Sequence, residues 1–464
     1  MLHLHDTATG TVAPLDLRTE GRASLYVCGP TVYDLPHIGH GRMGLVFDVL
    51  RRYLLYIGLD VHYVSNVTDV DDNIIKRAAE QGRTEPEVAA EFEDRWWEAM
   101  DGLGVLRPDD TPHATAYITD MVKLVADLLE RGVAYETGDG VYLDVSQVDG
   151  YGLLARQSLD SLRAGARVES NEEKRSPLDF AIWKRAKEGE PAWDAPFGVG
   201  RPGWHTECVV MSLDLLGDGF DLHGGGQDLA FPHHENERAQ AVADDKRFAR
   251  HWVHNGWVMV GSEKMSKSLG NFTSLTDLLS RSDGRAYRLL VLRSHYRSPI
   301  EVSAETVADA EKGLERLDAL ARRFGVGDLL ATSPEGYVVE SRDAGEAELG
   351  ALAAFRTRMD DDLDTPGALA EIFELVSAAH SAADAGDEAE GERLAQTVAV
   401  LSGALGLPLR GESGEVDEVA AQLVAARDEA RRIKDFARAD ALRDELTALG
   451  WTVEDTPSGT AIHR

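Results

Sequence analysis

The chain predicts an α/β fold: a Rossmann-type parallel sheet, split by an insertion and followed by a mainly helical C-terminal region. Two patterns predict the sheet. "SLYVCGPTV" (24–32), "GHGRMGLVFDVLRRYLLYIG" (39–58) and "VHYVSNV" (61–67) read as strand, helix and strand. "FDLHGGG" (220–226), a helix from about 233 and a strand "WVHNGWVMV" (252–260) repeat that order. A third pattern, helical from about 275 onward, predicts the C-terminal region.

The first strand is an apolar run closed by a Gly-Pro turn. The helix after it places Leu45, Val46, Val49, Leu50 and Tyr53 at helical spacing, and Gly58 stops it. "VAYETGDGVYLDV" (133–145) has a hairpin pattern, while 146–203 is irregular and rich in Gly, Pro, Trp and charge. Residues 325–346 and 406–419 read as linkers. Between them "DLDTPGALAEIFELV" (362–376) starts a helix, with Thr365 as N-cap and Pro366 at the first helical position. No solenoid repeat is visible. The resulting divisions are 1–120 and 201–270 for the two halves of the sheet, with 121–200 as a connective insertion. Then come a helical region (271–325), a helical bundle (340–405) and a small C-terminal region (415–464).

Apolar residues make up 43% of the 464, enough for a well-filled core. No run reaches the roughly 18 apolar residues of a membrane helix. "MLHLHDTATG" lacks the regions of a signal peptide. A cytoplasmic protein without a membrane partner is expected. Two cysteines, Cys28 and Cys208, make no disulfide framework and fit a reducing compartment. Taken as a whole, the formal charge of −33 argues against phosphate partners. The requirement is local, however: one basic face can bind RNA on an acidic body.

In open parallel sheets, ligands bind outside the carboxyl ends of the strands. Cys28, "HIGH" (37–40), "GGG" (224–226) and "KMSKS" (264–268) all fall at predicted strand ends. His37 and His40, three apart at a helix start, share a face. A helix N-terminus presents free N–H groups and a positive dipole end to phosphate, and Gly39 lets a flat group approach the backbone. Lys264 and Lys267 place two charges on a polar loop that can close over a pyrophosphate.

"HIGH" with "KMSKS" resembles the paired signatures of class I aminoacyl-tRNA synthetases. The detail narrows this further. "YVCGPTVYDLPHIGHGR" (26–42), "NVTDVDDNIIKRA" (66–78), "RPGWHTEC" (201–208), "DLHGGGQDLAFPHHENE" (221–237), "MDDDLDTPGALA" (359–370) and "KDFARADALRDEL" (434–446) resemble the cysteinyl-tRNA synthetase family. The resemblance runs nearly end to end.

The family implies one catalytic zinc. The two cysteines are the soft ligands available. "HHENE" offers His233 with Glu237 at i, i+4, or His234 with Glu237 at i, i+3. Spacing leaves both open, and on spacing alone two ordinary buried cysteines are the better reading. The match to the family motif selects Cys28, Cys208, His233 and Glu237, a set that suits zinc. The resemblance further implies His37, His40, Lys264 and Lys267 as catalytic residues. Gly39, Gly224, Gly225, Gly226, Asp228 and Lys267 would bind ATP with Mg²⁺. Gly29, Thr68 with Asp69 beside it, and Trp204 would bind cysteine. His205, His223, His234 and His254 would lie behind the site.

The expected activity is ATP-dependent attachment of L-cysteine to tRNA(Cys) through a cysteinyl-adenylate, ending on the 2′-hydroxyl of the terminal ribose. The zinc would select the thiol, and the enzyme would act as a monomer. Region 271–325 would touch the tRNA stem and 415–464 the anticodon. There Arg431, Arg432, Lys434, Arg438 and Arg443 sit on a helical frame. On charge alone they would be a solvated, salt-bridged face. Ile462 stands where many members have tryptophan, which puts a stacking role there in doubt. Two rivals follow from the same motifs. One is a cysteine ligase that passes the adenylate to an amino sugar in mycothiol synthesis. The other is an inactive tRNA-binding paralogue.

Overall fold

The computed structural model describes residues 1–156, 173–260, 274–326, 346–411, 418–456 and 459–463, together with the backbone of 263–264. Its centre is a four-stranded, all-parallel sheet. The strands are β1 (Arg22–Val27), β2 (Asp60–Ser65), β3 (Leu222–Gly226) and β4 (His251–Asn255), in the order β4-β3-β1-β2. Helix α1 (Ile38–Tyr56) joins β1 to β2. Helix α2 (Trp204–Leu216) precedes β3, and α3 (Glu235–Ala243) joins β3 to β4. The chain winds one way from β1 and the other way from β3, so the switch point lies between those two neighbours.

Strand alternation decides what each face holds. Ala23, Leu25 and Val27 of β1 point into the core shared with α1. Tyr26 and then Cys28 point to the opposite core, which contains Cys208 and Val209 of α2. Cys28, the residue just after β1, therefore faces α2 because it continues the strand's alternation. Helix α1 buries all five apolar positions expected from its spacing. It stops at Ile57, and Gly58 takes the left-handed φ of 90° that follows.

The insertion folds as an antiparallel sheet of Ala134–Thr137, Gly140–Leu143, Phe180–Arg185 and Gly200–Pro202. The last two strands lie inside the stretch expected to be irregular. The expected strand 252–260 is two strands in two sheets. After Asn255 the Gly256 N–H bonds to the Tyr296 carbonyl, and Val258–Val260 pairs with Ile300–Glu301 and Glu263–Lys264 instead. An unbroken apolar run masked the change of sheet.

Arg42 of α1, fully buried, locks that change in place. Its guanidinium donates to the carbonyls of Trp257 (2.6 Å), Tyr296 (3.0 Å) and Ser298. Helices Gly284–Leu292, Ala304–Phe324, Glu346–Asp360, Thr365–Asp384 and Glu388–Ala404 pack on the α1 side and share its core. The Thr365–Asp384 helix is capped by Asp364, whose carboxylate accepts from Gly367 N–H at 3.0 Å; Thr365, expected as the cap, is the first helical residue. A separate small core joins two helices (Glu418–Arg432, Phe436–Ala448) to the hairpin Thr452–Thr456/Gly459–His463. Ile462 is buried in it beside Trp451 and Leu446, so it packs and does not stack on a ligand.

Candidate active site and metal centre

Four side chains from three places in the chain meet behind β1. Cys28 Sγ lies 3.6 Å from Cys208 Sγ and 3.4 Å from Glu237 Oε1. Cys208 Sγ lies 3.7 Å from His233 Nε2, which lies 3.0 Å from Glu237 Oε1. All four are buried, with their ligand atoms within 4.8 Å of one another. Four ligands at zinc's usual bond lengths place neighbouring ligand atoms roughly 3.3–3.8 Å apart. Three of the four observed spacings fall in that range and the His233–Glu237 pair is shorter, at 3.0 Å, so this set can hold a metal ion, and its donor chemistry fits zinc.

Other buried groups aim the four. His205 Nδ1 lies 2.8 Å from His233 Nδ1, which leaves His233 Nε2 directed at the thiols. His223 Nε2 lies 2.7 Å from Glu237 Oε2, which leaves Oε1 for the same point. Such outer partners fix the tautomer and orientation of metal ligands. Electrostatics follow the geometry. Burial and the neighbouring Cys208 push the Cys28 thiol well up. The hydrogen bond from Cys28 outweighs burial and lowers Cys208 to about 6. Burial disfavours the charged forms of His233 and Glu237, yet Glu237 raises His233 to about 10, and His223 followed by His233 holds Glu237 well below the carboxylate range.

In front of this cluster lies a cavity of about 510 Å³. Cys28, Gly29, His37, Gly39, His40, Trp204, Gly226 and Asp228, all singled out from the sequence, line it. His37 is the N-cap of α1. Its Nδ1 accepts from His40 N–H (3.2 Å), and His40 Nδ1 accepts from His37 N–H (3.3 Å). The rings stack with centroids 3.5 Å apart. An Nδ1 that accepts carries no proton, so each neutral ring holds its proton at Nε2. The cap thus makes both histidines N–H donors at the positive end of a helix.

Other expected residues fall elsewhere. Gly224 and Gly225 do not line the cavity: a Cβ on Gly224 would overlap the Phe47 ring, and one on Gly225 would press on His234 and Leu229. Their lack of a side chain admits protein, not ligand. Thr68 is buried, and its hydroxyl donates to Glu207 Oε2 at 2.7 Å. Asp69 accepts from Thr115 N–H at 2.9 Å. Lys264 contributes backbone only, and Lys267 lies outside the described residues.

Two residues went unnoticed in the sequence. Asn66 Oδ1 holds Gly29 N–H at 3.0 Å and lies 3.7 Å from Cys208 Sγ. Glu207, next to Cys208, is buried, and burial pushes its carboxyl well up. The available signal was a polar residue at the end of an apolar strand and a carboxylate in an apolar helix.

A second cavity, about 860 Å³, opens against the insertion and shares Trp204, Asp71 and Asn73 with the first. Five cationic and five anionic side chains line it, beside Tyr142, Tyr151, Phe180 and Phe231. Its wall is charge-balanced on a chain of net −33, so the lining itself adds no net negative charge.

The fold and the helix-capped histidine pair define a class. A family model described as the class I (C) tRNA synthetase catalytic domain matches residues 15–312, a DALR domain matches 354–410, and a cysteinyl-tRNA ligase anticodon-binding domain matches 413–461. Among solved structures, methionyl-tRNA synthetase of Mycobacterium tuberculosis with methionyl-adenylate is similar at a TM-score of 0.59 and 17% identity, over 90% of this chain and 96% of that one. An Agrobacterium radiobacter LeuRS complex with tRNA also reaches 0.59, at 12% identity over 84% of each chain. At such identities these two speak for the fold alone. Curated relatives named cysteine–tRNA ligase come closer: the Alkalilimnicola ehrlichii protein is 44% identical and the Staphylococcus carnosus protein 41%, each over 100% of both chains. The chain belongs to the cysteine–tRNA ligase family and is an enzyme of the ligase class.

Proposed function

We propose that this enzyme joins L-cysteine to tRNA(Cys) through a cysteinyl-adenylate made from ATP. One observation carries the reading. The Cys28–Cys208–His233–Glu237 set lies behind the same cavity that His37, His40, Gly226 and Asp228 line, so a thiol-seeking centre and a phosphate-binding helix start meet in one space. The whole-length similarity to curated cysteine–tRNA ligases supports it.

Zinc held by the four residues supplies, when bound, a preference for thiolate over hydroxyl that a shaped pocket achieves only weakly. The remaining work falls to the chain itself. His205 and His223 keep the ligands aimed. Trp204, whose ring centroid lies 3.9 Å from that of His233, walls the amino-acid end. Gly29 closes against Asn66, and Thr68 is fixed by Glu207, so both shape the amino-acid side through the backbone. The cysteine carboxylate attacks the α-phosphorus, a P–O bond forms, and the bond to pyrophosphate breaks. No side-chain nucleophile is required; alignment and charge stabilisation suffice. His37 and His40 donate Nε2–H to phosphate oxygens, Lys264 and Lys267 add positive charge, and Mg²⁺ accompanies the phosphates. Gly39, Gly226 and Asp228 border the nucleotide. The terminal 2′-hydroxyl then attacks the cysteinyl carbonyl, and AMP leaves.

The charge-balanced second cavity suits the acceptor end, with aromatic rings available for stacking. The turn between the two C-terminal helices exposes Arg432, Lys434, Phe436 and Arg438, a surface suited to an anticodon loop. The family match at 413–461 supports tRNA rather than an amino sugar as acceptor. Among the described residues no helix is long and apolar enough to cross a membrane. A cytoplasmic monomer fits this reading. A single charging assay with both acceptors tests it: tRNA(Cys) should be charged and the amino sugar should not. Transfer to the amino sugar would overturn the reading.

A further inference from the structure

Behind the first set lies a second one. Cys28, Glu237, His223 and His234 also bring their ligand atoms within 4.8 Å of one another, all buried. Cys28 and Glu237 are common to both sets. His223 packs among Tyr26, Phe248 and Trp252, whereas His234 is held by a hydrogen-bond chain. His234 Nδ1 lies 2.8 Å from His254 Nε2, whose Nδ1 lies 2.7 Å from Thr7 Oγ1. The outer nitrogen of His234 is thus held through two steps, as a metal-binding imidazole requires. Its other nitrogen, Nε2, is buried with no hydrogen-bond partner among the described residues, while His223 reaches the set through Nε2, 2.7 Å from Glu237 Oε2. Unpaired buried polar atoms are destabilising unless something engages them. Gly225 has no side chain where His234 sits; a Cβ there would lie 2.9 Å from His234 Cε1.

We propose that His223 and His234, with Cys28 and Glu237, form a second position for the same class of ion, a divalent transition metal of the zinc type. The inference rests on the metal reading above. The two positions share half of their ligands, so they are alternatives, and the chain holds one ion that can occupy either. The four residues of the first set are then unequal. Loss of Cys208 or His233 moves the ion, whereas loss of Cys28 or Glu237 removes it. The second position gives the ion a nearby resting place when the first set is disrupted or rearranged.

Cobalt(II) titration of the full chain tests this by absorption, because thiolate-to-cobalt charge transfer scales with the number of bound thiolates. The native chain should bind one equivalent with two thiolates. Cys208→Ser should still bind one equivalent, with charge-transfer intensity reduced about twofold. Cys28→Ser should bind at least about tenfold more weakly. Adding His234→Ala to Cys208→Ser should remove the retained ion. His233→Ala, whose displaced ion would likewise keep only the Cys28 thiolate, serves if Cys208→Ser fails to fold by circular dichroism. Equal loss of cobalt from Cys208→Ser and Cys28→Ser would overturn the second position. So would retention in the Cys208→Ser/His234→Ala chain. A native chain that binds neither cobalt nor zinc would instead overturn the metal reading itself.

Discussion

The Sγ atoms of Cys28 and Cys208 lie 3.6 Å apart, although 180 residues separate them. A disulfide would bring them to about 2.05 Å. Two thiolates on one zinc stand about 3.8 Å apart. The chain's whole supply of cysteine is therefore spent on one point in space, at the wall of a cavity whose other wall is the capped start of α1.

That cap has two roles, which can be separated. Asparagine can cap a helix but offers no imidazole N–H. His37→Asn should keep stability within about 0.5 kcal/mol of the native chain. Its cysteine-dependent ATP–pyrophosphate exchange should fall by about 100-fold in kcat. Thermal unfolding and the exchange assay, run on one preparation, check both halves. Unchanged exchange would remove His37 from the phosphate site.

The glycine triplet gives a second test. Gly224→Ala drives a Cβ into Phe47 of α1, so stability should fall by about 1–3 kcal/mol. Phe47→Leu in the same chain should recover part of the loss. Gly226→Ala meets only the Asp228 carboxylate, the far end of a side chain, and should shift stability by less than about 0.5 kcal/mol. Urea unfolding of the four chains measures this. Equal effects at 224 and 226 would contradict the packing role.

The sign of a pH effect follows from Asp48. Its carboxylate lies 2.8 Å from Arg52 Nε and 2.5 Å from Arg288 Nη1, and it also accepts from Leu106 N–H. Burial alone would raise its pKa, but the two guanidinium groups hold it below the usual value of 3.8. A depressed pKa adds stability above the unfolded value and loses it as pH falls through the folded one. Asp48→Asn should therefore lose about 3–5 kcal/mol at pH 7. The gap between the two chains should persist down to about pH 4 and close below it. Denaturant midpoints across that range report it; a gap that closes near pH 6 would point to another group.

The charge-balanced cavity makes a prediction about nucleic acid. Lys187, exposed on its rim, should matter for tRNA and not for adenylate formation. Lys187→Ala should weaken tRNA binding and reduce the salt slope by about one. Exchange without tRNA should be unchanged. An unaltered salt slope would place the acceptor elsewhere.

Much of this was legible in the sequence where the signal is local. The α1 stripe needed only helical spacing, and His37 with His40 needed only a helix start. What was hidden depends on contacts distant in sequence. Gly224 and Gly225 looked like room for a nucleotide, because nothing in "GGG" shows that Phe47 and His234 fill it. The run Trp252–Val260 looked like one strand, because the backbone of 296–298 that breaks it comes forty residues later. Asp364 and Thr365 can both cap, and only the chain's path through the left-handed residues Asp362 and Leu363 puts Asp364 in position. Spacing could not choose between His233 and His234; β1 alternation and the irregular turn Ala230–His234 bring His233 to Cys208 and turn His234 toward His254.

The most direct test of the central claim is cysteine-dependent ATP–pyrophosphate exchange measured with metal content on one preparation, before chelation, after it, and after zinc is restored. Exchange should fall by at least about 100-fold as zinc leaves and return as zinc returns, with serine unreactive throughout. A metal-free chain that still activates cysteine at the native rate, and still rejects serine, would contradict a site built on Cys28, Cys208, His233 and Glu237.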